Sequence, residues 1–411
     1  MDTTLRSHAD AIIKASIAAV QPDAAVQRAL SNQIFPGRVL LVAAGKAAWQ
    51  MAKAAYDCLG ARIEKGVVIT KYDHVMGAIG NFQCFEAGHP VPDENSFRGT
   101  QAALDLVADL TEQDTVLFLL SGGGSALFEK PLVSGEVLQD ITSQLLACGA
   151  DIVEINTIRK RLSCVKGGRF ALACAPAKVF SIVLSDILGD PLDMIASGPA
   201  VPDSSTSEQA IAIAEKYGLH ISVTVWKLLE QETPKHLDNV TARVNGSVKE
   251  LCKAAATACQ KLGYEPVMLT DQLCCQAKEA GSFLASVLKT HAGTGKNMAF
   301  LAGGETVVQL TGKGLGGRNQ ELALSAAAGI AGIPGAAIFS VGSDGTDGPT
   351  DAAGGYVDYT TLTELNFQGI DPYLNLQEND AYHALQKVGG LIFTGPTGTN
   401  VNDIAIALIK I

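Results

Sequence analysis

The feature that most constrains this chain is an apolar run at 115–120, Thr-Val-Leu-Phe-Leu-Leu, which stops at Ser121 and is followed by Gly122, Gly123, Gly124 and Ser125. A continuous run of β-formers, with no polar alternation, predicts a strand buried on both faces, the kind that parallel sheets contain. Glycines directly after it let successive backbone N–H groups turn inward and approach a ligand with no Cβ in the way. Open α/β sheets hold their ligands at the carboxyl ends of strands. The stretch therefore predicts an anion cradle for phosphate or carboxylate. The plainer alternative is a tight turn whose glycines serve packing alone.

The pattern recurs along the chain. Buried-strand runs fall at 38–44, 66–70, 114–120 and 177–184, with helical patterns between them. Such alternation predicts βαβ units and a parallel sheet. The chain opens on an amphipathic helical pattern at 4–30. Beyond a polar, proline-bearing stretch at 231–246 the alternation resumes, with strands predicted at 266–270, 297–302, 306–310 and 336–341. A last loop at 394–403 follows the apolar 391–393, and Thr399 or Asn400 is placed to cap a final helix. A chain of 411 residues exceeds one ordinary core. The fold class is α/β, with an N-terminal Rossmann-like parallel-sheet domain at 1–238 and a C-terminal α/β domain at 239–411. The two are expected to face each other across a cleft that holds the site.

A formal net charge of −11 argues against general affinity for nucleic acid or anionic membrane, so any anion must be captured locally. The N-terminus lacks the basic-then-apolar pattern of a secretory signal, and no apolar stretch approaches the roughly 18 residues of a membrane helix. Nine cysteines without Cys-x-x-Cys spacing predict reduced thiols and a soluble, cytoplasmic protein.

Several constellations could carry chemistry. Arg159, Lys160, Arg161, Lys166 and Arg169 put five cations into eleven residues with no acid among them. As one helix, this segment would set Arg159 and Lys166 on a common face as an anion clamp; the alternative is a solvated basic face. Asp186 and Asp190 follow the predicted strand at 177–184 and should emerge at the sheet edge that carries Ser121. Carboxylates there suit Mg²⁺, with turn chemistry as the alternative. Gly312, Gly314 and Gly317 spell G-x-G-x-x-G ahead of Arg318, but the acid expected about twenty positions on is missing. A glycine-rich loop with an arginine at a helix start serves phosphate or carboxylate equally. Asp344, Asp347 and Asp351 crowd one loop with glycines and hydroxyls, a set fit for a metal or sugar hydroxyls. His89, in Gly88-His89-Pro90, reads as part of a rigid turn. No Walker loop, nucleophile elbow or Cys/His signature occurs.

Taken together, Ala44-Gly45-Lys46-Ala47, the stretches 121–127, 156–169 and 185–199, Gly303-Gly304-Glu305-Thr306, and the stretches 316–321, 343–348 and 398–403 resemble the class II glycerate kinase family. These are glycerate 2-kinases whose C-terminal half is called the MOFRL domain, and the matching segments run almost end to end in family order. The resemblance implies ATP-dependent phosphorylation of D-glycerate at its 2-hydroxyl, giving 2-phospho-D-glycerate, with ATP and Mg²⁺ as cofactors. It implies a catalytic pair, Lys46 and Arg318. On that reading Ser121, Gly122, Gly123, Gly124 and Ser125 cradle phosphate oxygens. Asp186 or Asp190 holds Mg²⁺ or orients the 2-hydroxyl, and Arg159 clamps the glycerate carboxylate. Glu305, Asn319 and Asp344 join the phosphate- and substrate-binding set. The expected partners are D-glycerate and ATP, with no nucleic acid and no membrane; a homodimer is the assembly to test for.

Two other readings compete. Family members have often been labelled hydroxypyruvate reductases, which would bind NAD(P)H on the loop from Gly312 to Gly317. The missing ribose-binding acid and the lack of a convincing catalytic histidine count against that. The third is a nonenzymatic sensor of sugar acids or nucleotides.

Overall fold

The computed structural model describes residues 1–411, which form two compact units. The first comprises Ala25–Ser185 and Asp190–Asn245; the second comprises Met1–Ala24, Asp186–Gly189 and Gly246–Ile411. The chain is thus not divided by a single cut near residue 238. Its first helix and a four-residue segment after Ser185 belong with the C-terminal part.

In the first unit, β1 (Val39–Ala44), β2 (Ile63–Lys71), β3 (Phe82–Ala87), β4 (Thr115–Leu120), β5 (Lys178–Leu184) and β6 (Val240–Gly246) form one sheet, ordered β3-β2-β1-β4-β5-β6. The pairings β1–β2, β2–β3, β1–β4 and β4–β5 are all parallel. Every residue of β1 and β4 is buried, which is why both read as unbroken apolar runs. From β1 the chain proceeds outward to β2 and β3, whereas from β4 it proceeds the other way to β5. The strand order therefore reverses between β1 and β4, and such a reversal opens a crevice at the carboxyl ends of the two strands. The strands β3 and β6 lie at the sheet edges, and their polar, part-exposed residues gave no strand signal.

In the second unit, β7 (Glu265–Leu273), β8 (Met298–Gly304), β9 (Ala336–Gly342), β10 (Gly354–Asp358), β11 (Leu391–Ile392) and β12 (Asp403–Ile409) form a sheet ordered β11-β10-β9-β12-β8-β7. Only β7–β8 pair in parallel; β12 runs antiparallel to both β8 and β9, and β10 antiparallel to β9 and β11. Helices cover both faces. Ala277–His291 and Arg318–Ile330 pack on one core with Ala405, Ala407 and Ile409. Thr3–Ala19 and Val248–Lys261 pack on the other with Ile404, Ile406 and Leu408. The alternation along β12 assigns its residues to the two cores in turn, as strand geometry requires.

Three expectations are corrected. The pattern at 4–30 is two helices, Thr3–Ala19 and Pro22–Leu30, because Pro22 has no amide to continue a helix and suits only a helix start. The run at 306–310 is not a strand; its β-pairing is limited to the isolated bridge Gln276↔Val307. The last segment is the central strand β12, not a helix, and all seven of its residues are buried. A short apolar run with no alternation does not tell a buried strand from a buried helix.

The two helices on the first of these cores cross very closely. A Cβ on Gly281 would lie 2.1 Å from the Leu322 carbonyl oxygen, and one on Gly329 would lie 2.5 Å from the Ala285 Cβ. Gly281→Ala must therefore push the helices apart. We expect a loss of about 1–3 kcal/mol, as overpacked cores show, read as a lowered thermal midpoint.

Candidate active site

The crevice between β1 and β4 is built from two loops that clamp each other. Ala44 and Leu120 are register partners, so the loops leave the sheet side by side. The Lys46 amide donates to the Gly122 carbonyl at 2.9 Å, and the Ala47 amide donates to Ser121 Oγ at 3.0 Å. Gly45 sits at φ +122, and a Cβ there would lie 2.2 Å from Ser121 Oγ, so only glycine fits. Gly123, at φ +84, faces Lys46 and His89: a Cβ on it would lie 3.0 Å from His89 Cδ2 and 3.2 Å from Lys46 Cγ. The Lys46 side chain is exposed. Burial, with Lys46 and Lys71 nearby, lowers the basicity of His89, so its imidazole is held neutral at neutral pH. His89 is therefore part of the loop cluster, which the turn reading of Gly88-His89-Pro90 missed.

Behind Gly124 lies the loop Ile195–Ser197 and Gly198. Ala196 (φ 50) and Ser197 (φ 61) are both left-handed there, at a cost of order 1–3 kcal/mol each, and a Cβ on Gly124 would lie 2.7 Å from the Ala196 Cβ. Ser197 Oγ donates to Asn156 Oδ1 at 2.9 Å and lies 3.4 Å from Ser125 Oγ.

The basic segment is neither a solvated face nor one helix. The helix Ile152–Arg161 ends before Lys166, so Arg159 and Lys166 share no helical face. They converge through the fold instead. Arg159 Nη2 and Lys166 Nζ each donate to the Ser125 carbonyl at 2.9 Å, and Lys166 also donates to the Phe128 carbonyl. Glu129, wholly buried, places Oε2 3.2 Å from Lys166 and 3.6 Å from Arg159. Burial outweighs the pull of Glu129 and brings the Lys166 ammonium down to about 8. Lys160 and Arg161 are likewise buried, around Asp203, and Arg169 donates to the carbonyls of Lys160 and Ser163. Of these five cations, Arg159 and Lys166 hold the glycine loop from behind.

In the second unit the functional groups gather where the helix Arg318–Ile330 begins. Arg318 is bound bidentately by Asp403, Nε to Oδ2 at 2.5 Å and Nη2 to Oδ1 at 3.0 Å, while Nη1 donates to Glu305 Oε1 at 2.9 Å. Asn402 Nδ2 bridges Glu305 Oε2 at 3.1 Å and the Asp186 carbonyl at 3.0 Å. Burial works against the Arg318 charge, but the hydrogen bonds and charge of Asp403 more than offset it and raise its proton affinity. Burial also raises the Asp403 carboxyl, against the pull of Arg318. Asp347 caps the helix: its carboxylate accepts the Asn319 amide at 3.1 Å and the Gln320 amide at 2.9 Å. Burial drives Asp347 up to about 7, the two amides pulling it back and Asp403 pushing further.

The remaining predicted residues divide. Glu305 and part-exposed Asp344 lie beside this network; a Cβ on Gly342 would sit 3.2 Å from Asp344 Oδ1 and 3.5 Å from Asp403 Oδ1. Asn319 points inward, its amide group holding Asp347 and its carbonyl accepting from Ser340 Oγ. Asp186 and Asp190 are both part-exposed at the end of β5. No group of three or more His, Cys, Asp or Glu side chains is assembled to hold a metal.

The G-x-G-x-x-G stretch is not an open cradle. The Thr311 and Gly312 amides donate to Asn379 Oδ1 at 2.7 and 2.8 Å, Gly314 to the Glu378 carbonyl at 2.7 Å, and Leu315 to Asp380 Oδ1 at 3.0 Å. These four amides are spent within the fold, and a carboxylate already occupies the helix N-terminus that a pyrophosphate would need. Beside this loop opens a cavity of about 730 Å³, lined by Leu188, Glu305, Val308, Gly317 and Arg318 among others.

One α/β unit thus carries a glycine-rich loop at a reversal of strand order, and the other a bidentately held arginine beside a cavity. Residues 8–230 match the family described as Domain of unknown function (DUF4147), and residues 298–403 match the MOFRL family. The chain is 56% identical to a D-glycerate 2-kinase of Thermotoga maritima, over 99% of each protein. It is 44% identical to a glycerate 2-kinase of Pyrococcus horikoshii, over 91% of this chain and 88% of that protein. A crystal structure of a glycerate kinase from Thermotoga maritima superposes with a TM-score of 0.95 at 55% identity, covering 100% of both chains. The chain belongs to the glycerate kinase family with a C-terminal MOFRL domain.

Two predictions follow from these buried charges. Lys166→Met leaves Glu129 buried without its closest cation and should cost about 3–5 kcal/mol in denaturant unfolding, while adding Glu129→Gln should recover part of the loss. For Asp347, the folded value of about 7 lies above the ordinary 3.8. Its contribution is therefore fully present below the unfolded value and lost as pH rises through the folded one. The stability of the protein relative to Asp347→Asn should fall between about pH 4 and about pH 7; a constant difference across that window would refute the assignment.

Proposed function

We propose that this protein transfers the γ-phosphoryl group of ATP to the 2-hydroxyl of D-glycerate, giving 2-phospho-D-glycerate and ADP. The observation that carries this reading is the end-to-end similarity to D-glycerate 2-kinase. It joins to a geometry suited to phosphoryl transfer, which depends on positioning and charge neutralisation more than on covalent chemistry by the protein.

In this mechanism Lys46, exposed at the β1–β4 crevice, neutralises phosphate oxygens, and the loop Ser121 to Ser125 cradles them. Arg159 and Lys166 keep that loop in place by holding the Ser125 carbonyl, so Arg159 acts from behind the loop instead of clamping the glycerate carboxylate. Arg318 stabilises the charge that develops on the transferring group, with Asp403 and Glu305 fixing the guanidinium plane. His89, neutral beside Lys46 and Gly123, is able to take up a proton. The 2-oxygen of glycerate attacks the γ-phosphorus as the bond to the β–γ bridging oxygen breaks, and the hydroxyl proton leaves to a base.

Mg²⁺ would neutralise charge across the nucleotide phosphates. The part-exposed carboxylates of Asp186 and Asp190 fit it: an oxygen-loving cation held chiefly by phosphates and water needs only one or two protein carboxylates, not a cage. All nine cysteines are free thiols, consistent with a reducing cytoplasmic setting. The hydroxypyruvate reductase reading is disfavoured, because the Gly312, Gly314 and Leu315 amides of the G-x-G-x-x-G loop and the Asn319 and Gln320 amides of the following helix are already engaged.

Protein mixed with Mg·ATP should release ADP only when D-glycerate is present, and should not oxidise NADH with hydroxypyruvate. Lys46→Ala should lower kcat by about 10³ or more with the circular dichroism spectrum unchanged, and so should Arg318→Lys, which keeps a cation against Asp403 but loses the planar two-point geometry. Near-normal kcat in both variants would remove the pair from the mechanism.

A further inference from the structure

We propose that the cavity of about 730 Å³ beside Arg318 is the pocket for the adenosine part of the nucleotide, with Arg318 at its phosphate end. This rests on the kinase reading above and assigns the nucleotide to a place. The volume lies within the range of about 300–1,000 Å³ typical of pockets for cofactor-sized ligands. Glycerate, a three-carbon acid, would leave most of it empty.

The lining matches a purine. One wall is the extended segment at 306–310, which was expected to be a strand. Two of its apolar side chains are left facing solvent: Val307 is 53% and Leu310 is 82% exposed. Large apolar groups held open in a concave site are costly unless something flat and apolar covers them. Leu188 and Pro349 also line the cavity, while Glu305 and Arg318 line its polar end.

The wall is also rigid. The Val307 amide donates to the Cys275 carbonyl at 2.9 Å, and the Val307 carbonyl accepts the Ala277 amide at 2.9 Å. Beyond Leu310, Asn379 Oδ1 pins the Thr311 and Gly312 amides. A preformed wall loses little entropy on binding. The glycine-rich stretch thus serves the nucleotide as a fixed side of its pocket, not through free amides. At Gly317 a Cβ would lie 2.3 Å from Asp347 Cγ, and at Gly314 it would lie 2.4 Å from Asp380 Cβ, so these glycines are required by packing.

Calorimetric titration with ADP, together with steady-state kinetics, tests this. Leu310→Asp and Val307→Asp place a charge where the base would lie, at positions outside the core; Leu310→Ala removes contact without adding charge. We expect the Kd for ADP and the KM for ATP to rise about tenfold or more in the Asp variants and severalfold in Leu310→Ala, with the KM for D-glycerate changed less than about twofold. A rise in the KM for D-glycerate with ADP binding unchanged would overturn the proposal, and so would no change in either constant. Unmodified protein that binds ADP at this cavity but never phosphorylates D-glycerate would instead refute the kinase reading and leave the pocket standing.

Discussion

The two-point ion pair between Arg318 and Asp403 is the contact on which the organisation of the C-terminal part turns. Asp403 is the first residue of β12, a strand late in the chain that lies in the middle of its sheet, between β9 and β8. Arg318 is the first residue of the helix that packs over that sheet. Joining them fixes the start of the helix against the end of a central strand. A bidentate guanidinium–carboxylate pair sets orientation as well as distance. Glu305, at the end of β8, and Asn402 complete the frame. The arginine thus keeps its charge and its plane while remaining about one-third exposed, as the role proposed for it beside a transferring phosphoryl group requires.

This frame also accounts for a misleading motif. Gly312, Gly314 and Gly317 have dinucleotide-binding spacing, yet their surroundings are those of a packed loop. Asp347 occupies the helix N-terminus with a carboxylate of its own, and Asn379 and Asp380 take up the amides of the loop. Acid residues clustered as Asp344, Asp347 and Asp351 looked like a metal or sugar site. Asp347 proves to be a buried helix cap, a role that spacing along the chain cannot announce because its partners lie 27 and 28 residues away.

What was legible in the chain follows from what each element has to bury. The runs that became β1, β4 and β5 are covered on both faces, so their composition alone marked them, and the loop Ser121 to Ser125 and Lys46 were placed correctly at strand ends. The edge strands β3 and β6 carry polar, exposed residues and were silent. In the second sheet β12 was taken for a helix because the six apolar residues after Asp403 have no polar alternation. Residues quoted for their neighbours, such as His89 and Asp403, were missed as site members, since their importance comes from pairings across 34 and 85 positions. The basic cluster at 159–169 was noticed for its charge, but its partners Glu129, Asp203 and the Ser125 carbonyl are remote in sequence. Only the folded chain shows that Arg159 and Lys166 support the loop from within.

Phosphoryl transfer to a secondary hydroxyl is the chemistry that every proposed residue role serves. The most direct measurement is the structure of the product made from D-glycerate and Mg·ATP, read from phosphorus–proton coupling in the magnetic resonance spectrum. A phosphate coupled to the single proton of the 2-carbon, formed in equal amount with ADP, is the expected result. A phosphate coupled to the two protons of the 3-carbon, or ATP left intact, would contradict it.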